Sequence, residues 1–264
     1  MSSLLIIVNW LLPLLYAVLL IDYGACFFLR IKAQSRNAWL VPVLGLHGLF
    51  LVLRAIHLGQ PPLADIYEIL SVMALSTGVV YALVEFASRD RRTGVFIFTL
   101  VFLFQYTSSS FLGQSSTHSA GWARLHTIPA LVACTAFAIA AVYGLLNLLA
   151  ERNLRKHRFG VLFDRLPPLD LLGRMTWHAL LGGFIFITIT MITGALFSHW
   201  GGAEQVMEAK LLAKIIIGSL AWVIYTVAVV GKLLGKWSSP RISGIAVAGF
   251  VVIMILLIVS GILS

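Results

Sequence analysis

Hydrophobic and polar positions in this chain fall into long blocks, with no short alternation. Eight runs are almost continuously apolar: about residues 3–29, 38–57, 66–87, 94–112, 125–149, 175–200, 210–231 and 243–263. Each is near the roughly 20 apolar residues that a helix needs to cross a bilayer. Strands of a membrane barrel would alternate apolar and polar residues over about ten positions, so helices are the element this pattern predicts. The expected fold is all-α: a polytopic membrane helix bundle with eight transmembrane helices.

The connections between the runs alternate in charge. Arg30, Lys32 and Arg36 follow the first run, and Arg89, Arg91 and Arg92 the third. Arg152, Arg155, Lys156, Arg158, Arg165 and Arg174 follow the fifth, and Lys232, Lys236 and Arg241 the seventh. By the positive-inside rule these four connections are cytoplasmic, which puts both termini on the outer side of the membrane. The first run is too long for a signal-peptide core and has no basic residue before it, so it reads as a retained helix. No connection is long enough for a separate soluble domain, and residues 1–264 read as a single integral membrane domain.

Composition agrees with the pattern. With 60% hydrophobic and 11% charged residues, the chain has far more apolar surface than a soluble core requires, so the lipid bilayer is its solvent. The net charge of +9 would suit nucleic acid, but the four basic connections hold 15 of the 19 lysines and arginines. That placement is a topology signal, and nucleic acid is not an expected partner. Cys26 and Cys134 both lie in apolar runs with no CxxC around them, so neither a disulfide framework nor covalent haem attachment is supported.

Ionisable residues at membrane depth are costly and mark candidate functional positions. The sixth run carries His178 and His199, 21 residues apart, about one hydrocarbon thickness along a helix. His126 begins the fifth run and His199 ends the sixth, at the same outer level. Two neutral imidazoles across a bundle are the axial ligation an iron porphyrin accepts; interfacial histidines bonded to a carbonyl or water are the alternative. His47 sits in the middle of the second run, and the spacing of His47, Arg54 and His57 places them on one helix face. Arg54 has two roles open to it: a ligand carboxylate such as a propionate, or an internal ion pair with Glu68. His118 and His157 lie in connections and read as solvated. Trp122 and Trp200 are placed to shield an outer site or to anchor the membrane interface. Gly182, Gly183 and Gly194 read as packing residues. GxxxxGK[ST], HExxH and GxSxG are all absent, so phosphate cradle, zinc peptidase and hydrolase have no anchor.

The runs RAIHLGQPPLADIYEIL, LHTIPALVACTAFAIAAVYGLLNLLAERNLR, RLPPLDLLGRM and GGFIFITITMITGALF, in this order, resemble the cytochrome c assembly protein family. The resemblance covers about residues 40–255, and the length and loops look most like the short YpjD-like branch. It implies non-covalent haem b as cofactor or cargo, and cytochrome-biogenesis or haem-synthesis proteins as partners. His126 matches the family's first external haem-ligating histidine, and histidines similar to His47, His126, His178 and His199 recur in the branch. Where CcsA-type members carry a tryptophan-rich WGxxWxWDPKE segment, this chain has HWGGAEQVMEAK and keeps only Trp200 and Gly201.

The expectation is therefore a protein that binds haem near the outer face through His126 and His199. His47 and His178 are candidates for a deeper site or path, Arg54 for a propionate, and Trp122 and Trp200 for the site's rim. No residue is assigned to catalysis. Two rivals stay open: a HemX-like scaffold or regulator docking a cytoplasmic partner through 151–174, and a solute or ion transporter built on Arg54, Asp65 and Glu68.

Overall fold

The computed structural model describes residues 3–29, 38–63, 65–88, 91–111, 121–157, 165–200 and 209–262. At 3–4, 87–88, 121–125, 197–200, 209–214, 257 and 260–262 it describes the backbone only. Among these residues eight helices are long and apolar enough to cross a membrane. They are α1 (Ser3–Leu29), α2 (Leu40–Leu58), α3 (Ile66–Ser88), α4 (Gly94–Phe111), α5 (Gly121–Arg155), α6 (Leu169–Trp200), α7 (Ala209–Leu233) and α8 (Ser239–Ile262).

Five helices match their apolar runs within two residues at each end, while α5, α6 and α8 extend clearly past theirs. The extensions are built from polar helix signals that hydropathy ignores. The last turn of α5 holds the i,i+4 pair Glu151–Arg155, at 2.6 Å. At the start of α6 the Pro168 carbonyl accepts from Leu171 and Leu172 N–H, and Asp170 stands in the first turn, where the helix dipole favours an anion. The start of α8 has Pro240 in its first turn, and the Ser238 carbonyl accepts from Arg241 and Ile242 N–H. The end of α2 is closed by Gly59 at φ 66°, a left-handed cap that glycine adopts without strain.

The chain divides into two compact units. In the first, α1 packs on α2 and α4, and α3 on α2 and α4. Leu5, Leu12, Phe50 and Leu51 form one buried apolar cluster. Tyr23 stacks on Phe98 at 4.9 Å between ring centres, and Tyr81 meets the same phenylalanine edge-on. The segment before α6 joins this unit: Leu166 is buried, and Nη1 of Arg165 donates to the Phe27 carbonyl.

In the second unit α5 lies along α6 and α8, and α7 packs on α6 and α8. Phe137 of α5 stacks on Tyr225 of α7 with 3.6 Å between ring centres. Close approach of α5 to α8 rests on Gly144, where a Cβ would come within 3.0 Å of the Ser243 carbonyl. Asn147 then donates to Ser239 Oγ at 3.2 Å and Ser243 Oγ at 2.9 Å, so the polar side chain is satisfied across the same helix pair.

Candidate functional site

In the second unit His126 sits in the second turn of α5, three residues before Pro129, which removes one helical hydrogen bond there. Its Nδ1 is 3.0 Å from the backbone carbonyl of Thr190 on α6. A carbonyl only accepts, so Nδ1 carries the proton, and in the neutral ring Nε2 keeps its lone pair. This is the orientation that outer-shell carbonyls impose on metal-ligating histidines. The imidazole lies against Gly194, one turn beyond Thr190: a Cβ there would be 2.9 Å from Cε1 and 3.1 Å from Nδ1. The threonines around the contact spend their hydroxyls on their own helix, Thr190 on Phe186 and Thr193 on Ile189. His126 is half-buried, and neither Thr190 nor the specific role of Gly194 was legible from spacing.

His199 and Trp200 close α6 and Trp122 opens α5, but their side chains fall outside the described residues; His118 lies outside them altogether. His178 is exposed on α6, and His157 is exposed at the end of α5.

His47 and Arg54 are both in the first unit and both buried. His47 has each ring nitrogen engaged, Nδ1 with Tyr16 Oη at 2.7 Å and Nε2 with Ser71 Oγ at 3.0 Å. The chain of bonds continues from Ser71 Oγ to Gln105 Oε1 at 3.0 Å and from Gln105 Nε2 to Ser109 Oγ at 3.0 Å. Ser109 Oγ donates to the Asn9 carbonyl, and Asn9 Nδ2 returns a bond to the Ser109 carbonyl. One network thus links all four helices through the dry interior, where each polar group needs a partner.

Of the two roles open to Arg54, the structure realises the ion pair. Its Nη2 and Nε meet Glu68 Oε1 at 2.8 and 3.2 Å, with both residues 1% exposed. Asp65 is occupied at the start of α3, where its Oδ1 accepts from Ile66 N–H at 2.7 Å. His57 departs from the expected shared face and is exposed. Ten residues after His47 the helix has turned about 80° away from it, which carries the last turn of α2 outward.

A second polar cluster, unforeseen from the sequence, closes the other end of this unit. Tyr23 Oη donates to Glu85 Oε2 at 2.5 Å, and Arg91 reaches Glu85 at 3.2 Å and Asp22 at 3.1 Å. The Arg91 guanidinium also lies 4.8 Å above the Tyr23 ring centre. Burial is the largest single influence and works against the charge on Arg91, but Glu85 and, after it, Tyr23 and Cys26 together outweigh it and hold the guanidinium above its ordinary value. In the sequence Arg91 reads only as part of a basic connection; the available signal was Glu85, an acidic residue inside the apolar run six positions before it.

Among the described residues no group of three or more His, Cys, Asp or Glu side chains is arranged to hold a bare metal ion. A porphyrin iron asks less of the protein, one or two axial nitrogens, and Nε2 of His126, which has no hydrogen-bond partner among the described residues, is such a donor. The sequence profile of the cytochrome C assembly protein family matches residues 63–264, well over half of the chain. The chain belongs to that family. It is also similar to the inner membrane protein YpjD of Escherichia coli, 25% identical over 115 residues, which is 44% of this chain and 41% of that relative. The same name and figures recur for two other strains of that organism. The match thus spans about two fifths of the length of these relatives. No solved structure matches the chain. Family membership and the eight helices long and apolar enough to cross a bilayer make this a multi-pass membrane protein of the cytochrome C assembly family.

Proposed function

We propose that this chain holds haem b non-covalently at the end of the second unit where α5 begins and α6 ends, as part of cytochrome c assembly. The observation that carries the reading is the His126 to Thr190 carbonyl bond, which fixes the ring and leaves Nε2 as the ligating atom. His199, at the same end of α6, is the second axial ligand in this reading, and Trp122 and Trp200 flank the porphyrin. Bound haem supplies the iron and the ring that the assembly pathway attaches elsewhere. The chain's own work is to orient His126, to give a dry face and to exclude side reactions.

His47, Arg54 and His178 take a lesser part. His47 and Arg54 would each have to give up two bonds inside the first unit to reach a cofactor, and His178 stands apart from His126 along α6. The basic connections face the cytoplasm in this reading, which puts the His126 end of the bundle on the outer side of a bacterial inner membrane, with both termini there. The relatives named as inner membrane proteins support that address.

The test is a visible spectrum of the full chain purified in detergent from haem-replete cells. A Soret band with sharp reduced α and β bands, lost in both His126→Ala and His199→Ala, is expected. A colourless wild-type protein overturns the reading. A coloured protein indifferent to His199→Ala removes the second ligand assignment.

A further inference from the structure

The connection between α7 and α8 has a feature that neither haem binding nor helix packing uses. Past the end of α7, Leu234 N–H donates to the Val230 carbonyl at 2.8 Å and Trp237 N–H to the Gly231 carbonyl at 3.0 Å. To allow this, Lys236 adopts φ 48°, a left-handed conformation that costs a lysine free energy. The result folds Trp237 back onto Gly231, where any Cβ would run into the indole ring. Beside it opens a groove of about 460 Å³ walled by Val227, Val230, Leu234 and Trp237.

The same few residues carry uncompensated charge. Lys232 Nζ bonds the Trp237 carbonyl at 3.4 Å, while Lys236 and Arg241 are exposed. The sequence has no Asp or Glu from 209 to 264. At the ends of α5 and α6, Glu151 and Asp170 are each paired with an arginine of their own helix. Nothing acidic from the helices described here is set against Lys236 or Arg241.

We propose that this groove and its cations bind one anionic diacyl phospholipid, with an acyl chain along Val227–Leu234 and the phosphate on Lys236 and Arg241. From Val227 to Leu234 the groove runs about 10 Å along the end of the span, and Lys236 and Arg241 follow Leu234 in the chain, past the span's last residue. That order, apolar and then cationic at the membrane surface, is the order of a phospholipid from tail to phosphate. A free phosphate would leave the groove idle. Bulk lipid would not require the strained turn that shapes the wall.

Native mass spectrometry of the full chain in detergent tests this with phosphatidylglycerol and phosphatidylcholine of matched acyl chains. Wild type is expected to retain phosphatidylglycerol about thirtyfold over phosphatidylcholine, as two interfacial cations predict, with the preference shrinking at high salt. The double variant Lys236→Gln/Arg241→Gln, at exposed positions, should lose the preference but keep phosphatidylcholine; Val230→Trp should lose both lipids. Equal retention of the two lipids by wild type, or an unchanged preference in the double variant, overturns the proposal. Should Val230→Trp fail to fold, quenching by acyl-brominated phosphatidylglycerol decides the groove. Wild type must lose more fluorescence than Trp237→Phe, and equal loss overturns the acyl-chain placement.

Discussion

A Cβ placed on Gly194 would lie 2.9 Å from Cε1 of His126. The α6 backbone therefore reserves the space in which the imidazole stands, one turn beyond the carbonyl that holds it. Gly194→Ala is expected to push the ring away from Thr190 and to weaken haem retention at least about tenfold, the usual effect of losing an outer-shell contact. The check is haem content per protein by pyridine haemochrome, beside a helical circular dichroism spectrum that stays unchanged. Full haem content in Gly194→Ala would show that the close contact does not position the ring.

The buried pair Arg54–Glu68 makes an asymmetric prediction. Glu68→Gln or Arg54→Met alone strands a partner in the dry interior and should cost about 3–5 kcal/mol. The double variant Arg54→Met/Glu68→Leu should recover most of that loss, since both charges leave together. Denaturant titration in detergent measures it. Additive losses in the double variant would mean that the two residues do not act as a pair.

In the network around His47, Gln105 both accepts from Ser71 and donates to Ser109. Gln105→Leu takes one of two partners from each of those buried hydroxyls and is expected to cost about 1–3 kcal/mol, while a Soret band owed to His126 stays in place. Thermal unfolding and the visible spectrum are read on the same sample. A lost Soret band would tie this network to the cofactor site and count against the placement at α5 and α6.

At the far end of the first unit, Gly94 faces Tyr23 and Tyr81 so closely that a Cβ would overlap the Tyr23 ring. Gly94→Ala should destabilise the unit by about 1–3 kcal/mol through overpacking, and Arg91→Ala should do so by loosening the connection to Glu85 and Asp22. Limited proteolysis near Arg91 should become faster in both variants. Unchanged cleavage would remove the cluster as a clasp.

Much of the fold was legible because apolar run length is a direct report of bilayer thickness. The run at 94–112 and the helix Gly94–Phe111 differ by one residue. The misjudged ends are amphipathic: α6 begins at Leu169, six residues before its apolar run, because Pro168 and Asp170 start a helix outside the hydrocarbon. The candidate site was legible only as a set of residue types. In sequence His126 and His47 differ only in depth, one at the start of its apolar run and one in the middle, and neither position names a partner. Among the described residues the first has one ring nitrogen engaged and the second has both.

What the sequence determined by itself is the number of spanning helices, their places and the family, since each follows from runs and motifs read along one dimension. The tertiary structure decided the partners: Thr190 for His126, Tyr16 and Ser71 for His47, Glu68 for Arg54. Hydrogen bonds are directional and act over about 3 Å, so a partner is fixed by which helix faces meet, and helices far apart in the chain meet only when the bundle packs.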